Sequence, residues 1–108
     1  MGWKLKRTAQ CKKCPWLVTT NPHEIPDGYC VEKHKSLART IAVPGSLRGT
    51  DAAMACHETG DAHCIGWLVN QVGDGNNIAL RIRMMTCGNA SKIKLRGEQH
   101  LKFEDTLP

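Results

Sequence analysis

Bulky apolar side chains are scarce in this chain: 108 residues include one Phe, one Tyr and three Trp. At that size burial alone gives marginal stability, which argues against a fold held only by an aromatic core and for an added staple. No apolar run approaches the roughly 20 residues of a membrane-spanning helix, so no membrane association is expected. The start, Met1-Gly-Trp-Lys-Leu-Lys-Arg, carries charge with no apolar run behind it, and no signal peptide is expected. Lys6 stands where a myristoylation motif needs Ser or Thr. Acidic residues are absent from positions 1 to 23, and the net charge is +5, which excludes an acidic DNA mimic. With no targeting signal, a cytoplasmic protein is expected, whose cysteines stay reduced and serve metal or redox roles rather than disulfides.

Six cysteines are present, and four of them define the chain's most informative pattern. Cys11-Lys-Lys-Cys14-Pro-Trp16 is a Cys-x-x-Cys knuckle, and Cys56 and Cys64 bracket the segment beginning His57-Glu58-Thr59. A Cys-x-x-Cys turn presents two soft donors on one loop, and four thiolates suit zinc or a 4Fe–4S cluster. Cys11, Cys14, Cys56 and Cys64 are therefore predicted to form one metal site, with Zn2+ the preferred occupant and a 4Fe–4S cluster the alternative. The spacing of the second pair is not that of a standard zinc finger, and four buried apolar thiols are the competing reading. That reading leaves Lys12 and Lys13, inside the knuckle, unexplained. His57 is expected as a second-shell or substitute ligand and His63 at the surface, while Cys30 and Cys87 are expected in the core.

The fold class predicted is a small, metal-stapled, irregular domain, mainly α, with little or no β. Helices are expected at about 31–42, 64–72 and 78–87. The first rests on the stripe Cys30, His34, Leu37, Ala38 and Ile41, stopped by Pro44-Gly45. The second follows from Ile65, Leu68, Val69 and Val72, ending at Gly73. The third has Asn77 as N-cap and Gly88 as stop, although Ile78, Leu80, Ile82 and Met84 also alternate as in a strand. Residues 91–96 alternate too and are candidates for a short strand. One domain is expected, with a basic N-terminal arm over 1–10 and an irregular tail over 97–108.

Catalysis is not expected. Cys56 and His57 are sequence neighbours and cannot easily face one another as a dyad. His57-Glu58 matches neither the zinc-protease helix nor the deaminase signature. The segment before Cys11 is basic and polar, not the apolar strand of a thioredoxin-like site. Lys4, Lys6, Arg7, Lys12 and Lys13 make a basic arm that suits phosphates or a protein partner, with a solvated surface as the plain alternative. Trp3, outside the cysteine motifs, is expected as an exposed partner anchor, with a lid over the core as the other reading.

The ordered set Cys-x-x-Cys-Pro-Trp at 11–16, Met-x-Cys-His at 54–57 and Cys-x-Gly-Trp at 64–67 resembles a family of small cysteine-rich bacterial and phage proteins known only as a domain of unknown function. That resemblance covers the first two thirds of the chain and implies a shared metal-type core without an assigned activity. In general appearance the chain also looks like an accessory protein of lambdoid phages, among them the small anti-RecBCD recombination modulators. This implies a non-enzymatic protein in the host cytoplasm that binds a host complex such as the RecBCD nuclease–helicase. The small number of basic contacts separately leads to an expectation of weak or no direct nucleic-acid binding. A zinc-containing DNA- or RNA-binding module is the alternative, and an iron–sulfur redox protein the third.

Overall fold

The N-terminal arm closes the molecule by lying along the chain's last third. In the computed structural model, residues 3–25, 30–50, 52–56 and 62–107 are described. Trp3 pairs in parallel with Cys87, and Ala9 with Lys94. Gly88 N–H donates to the Trp3 carbonyl at 2.7 Å, Lys94 N–H to the Thr8 carbonyl at 2.9 Å, and Gln10 N–H to the Lys94 carbonyl at 2.9 Å. Asn89 fills the gap between these bridges: its Oδ1 accepts from Leu5 N–H at 2.8 Å and its Nδ2 donates to the Leu5 carbonyl at 3.0 Å. Beyond the knuckle, Leu17 pairs antiparallel with Gln99. Each pairing is an isolated bridge, and no strand forms among the described residues.

Three α-helices stand among the described residues: α1, Val31–Ser36; α2, Ile65–Val72; and α3, Ile78–Met84. The helix expected over 31–42 is α1 continued by a 3-10 turn, Leu37–Thr40. Its stripe is only partly inward: His34 is buried and Leu37 and Ile41 half-buried, while Ala38 and Cys30 are exposed. Cys30 was expected in the core, but it occupies the N-cap in extended backbone, before the helical turns that orient the stripe begin. α2 buries Ile65, Trp67, Leu68 and Gln71 and stops at Gly73, as its apolar spacing requires. α3 starts at the expected cap, where the Asn77 side chain accepts from Leu80 N–H at 3.0 Å. It is shorter than expected and, of its residues, only Leu80 is buried.

One core cluster joins Leu5, Leu17, Met54, Ile65, Trp67, Leu68, Leu80 and Phe103 to the four motif cysteines. Phe103 comes from the tail, where a 3-10 turn, Phe103–Thr106, packs its ring against Trp16 at 6.3 Å. The radius of gyration, 13.2 Å, is that of a compact chain of this length, for which about 13 Å is expected. No helix among the described residues is long and apolar enough to cross a membrane.

His34 ties α1 to this tail. Its Nε2 lies 3.0 Å from Thr106 Oγ1, and that hydroxyl itself donates to the Phe103 carbonyl at 2.7 Å. Thr106 therefore accepts a proton carried on His34 Nε2. Burial holds the imidazole pKa below its ordinary 6.5, so the folded state favours the neutral ring. The unfolded chain then binds more protons in the window below 6.5. Stability contributed by His34 is complete above that value and is lost as pH falls towards the lower folded pKa. The expected outcome is a melting temperature that declines on acidification through about pH 6, with a flatter decline in His34→Gln.

Candidate metal centre

Met54 to Cys64 supplies one half of the site as a hairpin. Ala55 and His63 form an antiparallel bridge, with Cys56 N–H donating to the Ala62 carbonyl at 2.8 Å and Cys64 N–H to the Met54 carbonyl at 2.9 Å. Side chains alternate accordingly. Met54, Cys56, Ala62 and Cys64 are buried, whereas Ala55 is exposed and His63 half-buried. The pairing thus turns Cys56 and Cys64 to the same, inner face. α2 begins directly after Cys64, whose carbonyl accepts from Leu68 N–H at 2.9 Å.

The other half is the Cys11–Cys14 knuckle, a tight turn in which Cys14 N–H donates to the Cys11 carbonyl at 3.4 Å. Gln10, fully buried beside it, is held in a reciprocal amide pair with Gln99, at 2.6 and 2.9 Å. Trp16 follows, also fully buried, and its indole N–H points at Met54 Sδ at 3.4 Å. Trp67 is buried as well and donates from Nε1 to the Thr40 carbonyl at 2.9 Å. The two tryptophans of the cysteine motifs therefore pack into the core.

Cys11, Cys14, Cys56 and Cys64 show 3, 0, 3 and 4% exposure, so all four are shut from solvent. Cys14 Sγ lies 3.7 Å from Cys64 Sγ. Hydrogen bonds from Cys11 and Cys64, with Gln10 and the Trp16 backbone adding to them, outweigh burial and lower the Cys14 pKa from 9.0 to about 3. Cys64 is pushed the other way by its bond to Cys14 and by burial, so it keeps its proton. Cys14 is thus hydrogen-bonded through its sulfur to both Cys11 and Cys64, and Cys56 belongs to the same buried cluster. Among the described residues, which include all four of these cysteines, no group of three or more His, Cys, Asp or Glu is placed so that it could hold a metal ion.

One pair, Cys14 and Cys64, has a spacing close to that of two donors on a single ion. Two thiolates on a tetrahedral zinc, each about 2.3 Å from the metal, stand about 3.8 Å apart. The Cys14–Cys64 separation is that distance. His57 lies outside the described residues, so its expected place beside the cysteines has no structural counterpart here. His63 is not a surface residue as expected. Its imidazole stacks on Trp67, 6.1 Å between centroids with planes 12° apart, because the hairpin bridge turns it towards α2.

Trp3 extends this stack. Its ring is 6.1 Å from His63, the Arg83 guanidinium sits 5.0 Å over its face, and its indole N–H donates to the Arg83 carbonyl at 3.0 Å. Half-buried and fixed at both backbone and side chain, Trp3 has the geometry of a lid. Trp3→Ala is expected to cost about 2 kcal/mol through lost burial, lowering the melting temperature by roughly 10 °C in a thermal scan. Of the basic residues, Lys4, Lys6, Lys12 and Lys13 are exposed and Arg7 is half-buried. Lys13 Nζ is 3.9 Å from a Glu24 carboxylate oxygen, an exposed pair worth little to stability. Cys87, expected in the core, is half-buried at its edge, its thiol donating to Asn89 Oδ1 at 3.4 Å.

No family model, no curated protein and no solved structure matches this chain.

Proposed function

We propose that this chain is a non-enzymatic interaction module, closed by one structural metal ion held by Cys11, Cys14, Cys56 and Cys64. The observation that carries the reading is the buried thiol cluster, whose Cys14 and Cys64 sulfurs stand 3.7 Å apart. Structural metal sites are closed, whereas catalytic ones keep a position open to substrate or water. Four donors at no more than 4% exposure, packed beside Trp16 and Gln10, match the closed type. Zinc is preferred because four thiolates in a closed site are its usual structural coordination. Cysteines of a 4Fe–4S cluster bind separate irons and stand farther apart. The metal would add folding free energy to a domain poor in bulky apolar residues.

The partner proposed is a host protein complex of nucleic-acid processing or defence. It is supported by the resemblance to small phage accessory proteins and by large apolar side chains left on the surface. Val43, Leu47, Ile82 and Met85 are 59 to 83% exposed. Affinity capture of the tagged protein from host cells, with and without nuclease, tests this. A protein partner that survives nuclease supports the reading, and recovery of nucleic acid alone contradicts it.

A further inference from the structure

The sequence carries two basic runs about 85 residues apart, Lys4-Leu-Lys6-Arg7 and Lys92-Ile-Lys94-Leu-Arg96. The fold lays them side by side. Parallel pairing of Ala9 with Lys94 makes the two arms neighbours, and the Cys11–Cys14 knuckle with Lys12 and Lys13 continues directly from the first arm. Neither 3–13 nor 92–96 contains an acidic residue. Lys4, Lys6, Lys12, Lys13, Lys92, Lys94 and Arg96 are all exposed, with Lys13 at the edge of the strip 3.9 Å from a Glu24 carboxylate oxygen.

The arginines are pre-positioned. Arg7 Nε donates to the Ala9 carbonyl at 2.7 Å, and Arg96 Nε donates to the Gln10 carbonyl at 2.6 Å. Both guanidinium stems are thereby tied to the junction where the arms meet. Arg96 is fixed a second time, since its backbone N–H donates to the buried Gln10 Oε1 at 3.0 Å. Beside this junction lies a hollow of about 340 Å³ lined by Ala9, Lys94, Leu95 and Arg96. Guanidinium groups held in place lose less entropy on meeting a phosphate, and their planar donors suit its oxygens.

We propose that the two arms form one composite strip that grips the phosphate backbone of nucleic acid, centred on the hollow beside Lys94 and Arg96. The inference goes beyond the metal centre but rests on the interaction-module reading, supplying a contact with the nucleic acid that such a partner complex carries. Because the contacts are to phosphate, affinity should be sequence-independent and strongly salt-dependent.

The test is fluorescence anisotropy of the full chain, with its native metal content, against a labelled single strand and the matching duplex over a salt series. Binding is expected at low salt, weakening steeply with salt at a log–log slope of about −0.9 per phosphate contact on duplex. The double variant Lys92→Glu/Lys94→Glu is expected to bind at least about tenfold more weakly and to lose about two contacts' worth of slope. Lys4→Glu, on the other arm, should weaken binding by a smaller factor, so the strip does not depend on the folding of one variant. Unchanged melting temperatures confirm that the loss is one of contact. Absence of binding at low salt, variants that bind as tightly as the parent, or equal binding of a poly-glutamate chain would overturn the assignment. These outcomes leave the metal content untouched, so failure of the strip is distinguishable from failure of the metal centre.

Discussion

Gly66→Ala is expected to destabilise the domain by about 3 kcal/mol or more, although alanine is the better helix former by about 1 kcal/mol. Gly66 lies in the first turn of α2, where a Cβ would stand 2.6 Å from Trp16 Cβ, 2.9 Å from Cys14 Sγ and 2.9 Å from Gln10 Nε2. Trp16 Cβ cannot withdraw without moving the backbone of the knuckle. The clash therefore forces α2 away from Cys14 and stretches the Cys14–Cys64 separation. Overpacking outweighs helix propensity here, and thermal unfolding should show a melting temperature lower by about 12 °C or more. A variant as stable as the parent would mean that α2 does not pack against the knuckle this closely. The Gly in the Cys-x-Gly-Trp motif is thus explained by close approach and not by backbone conformation.

Cys14→Ser carries the second large effect. Cys14 is fully buried and links Cys11 to Cys64 through its sulfur. Serine is nearly isosteric, so the cavity left is small, but a hydroxyl is a poor substitute for a thiolate on a soft metal. If the four thiols hold one metal whose binding is coupled to folding, loss of one donor should abolish a cooperative melting transition or lower it by about 12 °C or more. Cys56→Ser should behave likewise. Cys30→Ser is the control: Cys30 is exposed at the start of α1, and its replacement should change stability by no more than about 0.5 kcal/mol. Equal, small effects at Cys14 and Cys30 would leave the buried cysteines as ordinary core residues.

What the sequence revealed about this fold follows the range of the interactions involved. α2 and the Asn77 cap of α3 were legible because apolar periodicity and capping act within a few residues. Cys11, Cys14, Cys56 and Cys64 do share one buried cluster, but their role as metal donors is a reading of residue type alone. The hairpin that turns Cys56 and Cys64 inward was not legible, although Met54, Cys56, Ala62 and Cys64 alternate as a paired strand requires. Two residues on either side of a bridge are too few for periodicity to register. The parallel pairing of the arm with Cys87 and Lys94 joins segments about 85 residues apart, and no local signal specifies it. Phe103 and Thr106 entered the core from a tail without periodicity, because one aromatic ring and one hydroxyl found Trp16 and His34. Arg83 and His63 likewise gained their roles from Trp3, which only the folded chain brings to them.

Elemental analysis of protein purified without oxygen tests the central claim most directly. One closed tetrathiolate centre predicts about one zinc per chain, retained through gel filtration and lost together with the fold when a strong chelator is added. About four irons per chain, with a brown colour, would replace the zinc assignment by a cluster on the same cysteines. Colourless, metal-free protein that folds and melts cooperatively would contradict the account, because the cysteines would then be holding the knuckle to the hairpin by packing alone.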